Sequence, residues 1–189
     1  MPLSPTKLEI LQTILLLDRS VKPIQVSKEL GKKFPSVMMH IIGLTRMGYV
    51  ISPEKGFYTI THEGKQCLGL SEVTKELARK LLVGKLHDRA FHFYLNIDKP
   101  LDAKANNLQT FNALLKTIPV DSVDFHMKRG DFQAWLEGIG DLELAKKVEL
   151  LRTQSLSGEA LRKKLQIMTI NRVMALAKIA GYTIVKKHS

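Results

Sequence analysis

The chain has 189 residues, 44% of them hydrophobic and 25% charged, with a net charge of +11; that is the balance of a globular protein long enough for two small domains. Its single cysteine, Cys67, excludes an internal disulfide and any multi-cysteine zinc site. No apolar run approaches the roughly 20 residues of a membrane-spanning helix and the first residues lack a signal-peptide pattern, so the sequence reads as a cytoplasmic protein with no membrane partner.

The charge is uneven. Residues 1–84 carry 12 Lys+Arg against 7 Asp+Glu, residues 85–157 carry 10 against 10, and residues 158–189 carry 7 against 1. Basic ends around a neutral middle favour a polyanionic partner. Nucleic acid fits better than a membrane, because no stretch has the aromatic-rich amphipathic face of a surface-binding helix.

In chain order, Ser4-Pro5 opens a first helix with apolar positions Leu8, Leu11, Ile14 and Leu15, ending near Arg19 before the breaker Lys22-Pro23. From Ile24 the spacing of Val26, Leu30, Val37, Ile41 and Leu44 predicts two helices crossing through a tight turn. Small Ser27 permits close approach, Gly31 takes the turn conformation, and Gly48 closes the second helix. Val37, Ile41 and Leu44 share one face at helical spacing and must be buried. Tyr49–Ser52 and Phe57–Thr61 then predict a hairpin around Pro53-Glu54-Lys55-Gly56, with Tyr58 and Ile60 on one side and Phe57 and Thr59 on the other. An isolated hairpin is marginal in water, so this one must lean on the helices. Thr61 is placed to cap the next short helix, in which Cys67 reads as a half-buried hydrophobe.

This order, with Val26-Ser27, Leu30-Gly31, Val37, Ile41, Leu44 and Gly48 followed by the hairpin, resembles the helix-turn-helix and wing of winged-helix transcriptional regulators over residues 1–70. The resemblance implies double-stranded DNA as partner, with the second helix in the major groove. The face opposite Val37, Ile41 and Leu44 carries Pro35, Ser36, Met39, Gly43 and Arg46, with His40 on its flank. Ser36 and His40 can hydrogen-bond base edges, Met39 can touch a thymine methyl, and Gly43 lets the backbone come close. Lys32, Lys33, Arg46 and Lys55 at the wing tip would meet phosphates. Winged helices also dock proteins, and an adaptor without sequence-specific DNA binding is the alternative reading.

A linking helix is expected over 71–89, from the run Val73, Leu77, Leu81, Leu82 and Leu86. Residues 90–157 then read as a small helical module: a short strand-like piece, and a helix capped by Asn106 or Asn107 with the buried stripe Leu108, Phe111, Leu115 and Ile118. Asp131 and Asp141 each stand before an apolar-periodic segment and read as N-caps, and Trp135 with Phe132 and Leu136 reads as core. The module resembles a small helical domain family of unknown function found in archaea and bacteria, and that resemblance implies no activity.

His126, Arg129, Asp131 and Trp135 form the candidate ligand or partner site of this module. A histidine and a carboxylate can exchange a proton and an arginine can hold an anion. With no nucleophile, glycine-rich phosphate cradle or second carboxylate at useful spacing, the set reads as structural rather than catalytic. The spacings of His87, His92 and His126 match no metal-binding pattern, and the sequence points to no catalytic residue, metal or cofactor.

From Ser155 and Ser157, read as caps, a long basic helix runs to Gly181 with apolar positions Leu161, Leu165, Met168, Met174 and Leu176, ahead of a frayed or strand-like tail. These positions are too many for a solvated helix, and either the middle module or a second subunit must cover them. The chain therefore reads as mainly α: an N-terminal winged helix with a two-stranded wing, a small helical domain and a long C-terminal helix, acting as a DNA-binding regulator, homodimeric through residues 158–181, with a small-molecule or protein effector at its C-terminal module.

Overall fold

A computed structural model describes residues 3–84 and 87–182. The chain is mainly α, with two small antiparallel two-stranded sheets, and it divides into compact units at 1–72 and 73–189. Leu86, the side chain of His87 and the tail from residue 183 lie outside the described residues.

The first unit holds α1 (Pro5–Leu17), α2 (Pro23–Leu30), α3 (Phe34–Arg46), the hairpin β1 (Val50–Glu54) and β2 (Phe57–Ile60), and α4 (His62–Cys67). Each of the first three helices opens on a proline in its first turn, where the missing N–H costs nothing and φ is already helical. Ile10, Leu11, Ile14, Val26, Val37, Ile41, Leu44 and Val50 form one core, on which Tyr49, Tyr58 and Ile60 pack. The stripe of α3 is thus buried as its periodicity requires. In α1, Ile10 takes the buried place expected of Leu8, which is exposed.

The α2–α3 turn is held by Ser27. Its hydroxyl donates to the carbonyl of Lys32 at 2.6 Å while Gly31, at φ +60°, reverses the chain. The hairpin turns more tightly than the sequence suggests. Glu54 pairs with Phe57, only Lys55 and Gly56 form the loop, and Pro53 lies in the irregular stretch of β1 between Ile51 and Glu54. Proline fits there because a bulge leaves an amide unpaired. Val21 and Tyr58 exchange both backbone hydrogen bonds, at 2.9 and 2.8 Å, and so tie the segment before α2 to the hairpin.

Thr61 joins the hairpin to α4. Its amide donates to Tyr49, its hydroxyl donates to Gly48 and accepts from the Gly64 amide. Gly64 is buried, and a Cβ there would collide with the Tyr49 carbonyl oxygen. Gly64→Ala should therefore cost the first unit about 1–3 kcal/mol through overpacking. Faster amide exchange at Val21 and Tyr58 would show it, and unchanged protection at both would show that the approach is not tight. Cys67 is exposed rather than half-buried, because α4 turns only Gly64 inward.

The second unit begins with α5 (Lys75–Val83), which packs on α10 (Gly158–Ala180) and on α6 (Leu108–Leu114) instead of bridging open space. A single 3-10 turn (His87–Arg89) leads into a second hairpin, β3 (Phe91–Asn96) and β4 (Lys99–Ala105), followed by α6, α7 (Val120–Arg129), α8 (Asp131–Ile139), α9 (Leu142–Thr153) and α10. Only β3 is anticipated in the sequence; β4 is a finding of the structure. Its turn, Ile97-Asp98, is stapled by the Asn96 side chain accepting from the Asp98 amide at 3.1 Å, an Asx turn that the run Asn-Ile-Asp conceals. Phe91, Phe93, Phe111 and Phe132 meet edge-on or tilted with ring centres 4.9–6.3 Å apart, apart from the near-parallel Phe93–Phe111 pair.

The caps divide. Asn107 accepts from the Thr110 amide and Asp141 from the Leu144 amide, as expected. Asp131 does not cap α8: Gly130 holds the cap position at φ +79°, and Asp131 is the first helical residue with its carboxylate turned elsewhere. Ser157 holds the N-cap position of α10 without a side-chain cap bond, and the Gly158 amide donates instead to Asp124 of α7 at 2.9 Å.

The apolar stripe of α10 is covered within its own unit by α5, α6, α7 and α9. Leu161, Leu165, Met168 and Leu176 are buried there together with Thr169, Arg172 and Ala180, while Met174 points outward. Four of the five stripe positions are therefore covered inside one chain, and they no longer call for a second subunit, while Met174 stays 40% exposed with Ile167 at 51% and Ile170 at 40%.

Candidate functional site

Two places in the fold bring chemically active side chains together. The first lies on α3 and the β1–β2 hairpin. With Val37, Ile41 and Leu44 inward, Pro35, Ser36 and Arg46 stand exposed, Met39 is 72% exposed, and His40 is half-buried on the flank. Gly43 faces Lys7 of α1, whose Cε would lie 3.3 Å from an added Cβ. It is half-buried, with only the end of the Lys7 side chain beside it. The same Lys7 ammonium sits 3.7 Å from Met47 Sδ.

The cations differ in their surroundings. Lys32 is paired with Glu9 of α1 at 2.9 Å, so its charge is partly neutralised. Lys33, Arg46 and Lys55 carry no ion pair among the described residues and are exposed. Lys55 lines a cleft of about 580 Å³ together with Lys22, Ile24, Phe34, Met38 and Phe57, which sets the wing tip beside the first half of α3. Lys22 lies over the Phe57 ring at 5.0 Å, a cation–π contact. The apolar part of this cleft escapes a sequence reading because Ile24, Phe34 and Phe57 come from three elements.

The second place is the C-terminal end of α7. His126 is 3% exposed among Phe91, Phe93 and Phe132. Its Nε2 lies 2.9 Å from the Tyr94 amide and its Nδ1 2.8 Å from Asp131 Oδ2. A backbone amide can only donate, so Nε2 accepts and the ring proton resides on Nδ1. Burial holds the pKa of His126 below its ordinary value, although the Asp131 carboxylate pulls the other way. Both nitrogens are thereby occupied and the imidazole has no lone pair to offer a substrate. Asp131 also accepts from Arg129 Nε at 3.0 Å, and the Arg129 guanidinium lies 5.2 Å from the Phe125 ring centre.

The structure thus joins His126, Arg129 and Asp131 into one chain of hydrogen bonds, along the wall of a cavity of about 400 Å³ that Tyr94, Ile97 and Phe125 also line. Trp135 is not part of it. Its indole N–H donates to the Arg89 carbonyl at 2.7 Å, pinning the 3-10 turn before β3. Tyr94 is the site residue the sequence reading misses, because its contribution is an amide positioned by the hairpin. Among the described residues no three His, Cys, Asp or Glu side chains come together as a metal site, and no helix is long and apolar enough to cross a membrane.

Residues 1–72 run in the order α1, α2, α3, β1, β2, α4. No curated protein matches the chain, and no solved structure matches it. Within the second unit, residues 87–170 are similar to a family described as a family of unknown function (DUF5752).

Proposed function

We propose that the protein binds duplex DNA through α3 and the β1–β2 wing, as a transcriptional regulator whose second unit receives an effector. One observation carries this reading: Lys33, Arg46 and Lys55, exposed and without ion pairs among the described residues, bracket the open face of a helix whose opposite face is the core. Phosphates would take the three cations, while Ser36, Met39 and His40 would face the major groove. Pro35, in the first turn of α3, would lie on the groove side, and Lys32 would contribute less because Glu9 already holds it.

Affinity for random duplex fragments should then fall with salt at a slope of about −2.7, roughly −0.9 for each of three phosphates. Lys55→Ala should flatten that slope by about 0.9 and weaken all sequences alike, whereas Ser36→Ala and His40→Ala should change the preferred sequence. Binding that ignores salt, or no binding at all, would remove DNA as the partner.

The cleft between α2, α3 and the wing favours a second reading. Ile24 and Phe34 are more than 40% exposed beside Met38 and Phe57, and a helix or strand of another protein could bury them. That is the docking adaptor, and the neutral Phe34→Ser separates the two readings: it should abolish a protein contact while leaving the salt slope on DNA unchanged.

A further inference from the structure

The cavity beside β3 and α7 has the composition of a ligand site, and its arginine is already aimed. Tyr94, Ile97 and Phe125 supply an apolar lining, with Ile97 72% exposed at the hairpin turn. Arg129 is fixed by Asp131 through Nε alone, so its two Nη groups carry N–H donors without partners among the described residues. Asp131 is in turn oriented by His126, whose ring is pinned by the Tyr94 amide. His92 also lines the cavity, and directly across the strand pair from it stands Lys104, exposed and without an ion pair among the described residues.

From these features we infer that the cavity binds a small molecule with a planar apolar body and one anionic group, a carboxylate or a phosphate. The planar fork of a guanidinium donates two parallel hydrogen bonds to such a group. Held at Nε by Asp131 and laid over Phe125, it keeps one conformation and loses little freedom when the anion arrives. The Asp131 charge is balanced by Arg129, so the attraction for an added anion comes from the free Nη edge and from Lys104. A volume of about 400 Å³ falls in the range of about 300–1,000 Å³ of small-molecule sites. His126 and Asp131 are positioning residues here, because neither presents a free group to the ligand. The site lies wholly in the second unit and names the effector class of the regulator reading, yet it does not depend on DNA binding.

The test is a titration of the full chain, read by the ¹⁵N–¹H signals of the Tyr94 amide and Arg129 Nε, with benzoate, phenyl phosphate, inorganic phosphate and benzyl alcohol as probes. Benzoate or phenyl phosphate should shift both signals saturably below about 10 mM, and whichever binds more tightly identifies the preferred anion. Benzyl alcohol should give no saturable shift, and inorganic phosphate should bind at least about tenfold more weakly than phenyl phosphate, since it lacks the ring. Arg129→Gln should weaken the aromatic anion by at least about tenfold and Arg129→Lys should fall between, keeping the charge without the fork. Because Arg129 is half exposed, both variants should fold; if Arg129→Gln does not, Arg129→Lys decides alone. No saturable shift from either aromatic anion, an equal affinity for inorganic phosphate, or an affinity unchanged in the arginine variants would each overturn the inference. DNA binding is not read in these signals, so its failure would be seen separately.

Discussion

Replacing Arg172 by alanine should destabilise the second unit by about 3–5 kcal/mol, the cost of leaving a buried charge without its partner. Arg172 is 3% exposed in the middle of α10. Its Nε donates to both Asp141 oxygens at 2.9 and 3.1 Å, and its Nη1 donates to Glu143 at 2.9 Å. Lys147, also buried, donates to the other Glu143 oxygen at 2.8 Å. Asp141 is fully buried and at the same time caps α9. Removing the guanidinium leaves that carboxylate in the core with only a backbone amide and a neighbouring helix terminus to stabilise it.

The order of effects in a pair of variants tests the cause. In the Arg172→Ala background, Asp141→Asn should raise stability, because asparagine can still accept from the Leu144 amide and brings no charge into the core. In the parent the same substitution should lower it. The unique tryptophan, Trp135, reports urea unfolding of the second unit in every variant. A loss below about 1 kcal/mol for Arg172→Ala would place the network in water and not in the core.

The second large effect concerns His126 and acid. His126→Ala should cost about 3 kcal/mol, combining an orphaned Tyr94 amide, which alone accounts for about 1–3 kcal/mol, with a void among the phenyl rings. In the parent, the folded state holds the imidazole neutral below the ordinary value of 6.5, whereas the unfolded chain takes up a proton there. The unfolded state therefore binds more protons over that interval, and stability rises with pH across it. It is fully present above 6.5 and is lost as pH falls through the lowered folded value. Urea midpoints of the parent should fall from neutral to mildly acidic pH, and the difference between parent and His126→Ala should shrink on the same path. A difference independent of pH would show that the imidazole charges without penalty in the folded protein.

Much of the first unit was legible in the sequence because its signals are local. The helical spacing of Val37, Ile41 and Leu44 marks a buried stripe whatever lies against it. Gly31 and Thr61 act within a few residues of their own position, and Ser4-Pro5 marks where α1 begins. The charge count likewise shows basic ends and a neutral middle, while the mainly α class comes from the helical spacing of the apolar residues.

What the sequence left open is non-local. Asp131 and Asp141 look alike along the chain, each an acid ahead of an apolar helix, yet Asp141 caps while Asp131 turns to His126 and Arg129 because Gly130 already occupies the cap. The strand β4 has no strong pattern of its own and is fixed by pairing with β3. On α10 the same stripe could have been buried by another subunit or by its own chain, and periodicity cannot tell the two apart. Only the packing of α5, α6, α7 and α9 decided it, and it put Arg172 at an interior position that the sequence marks as surface, because the acids that make its burial favourable lie about 30 residues away on α9.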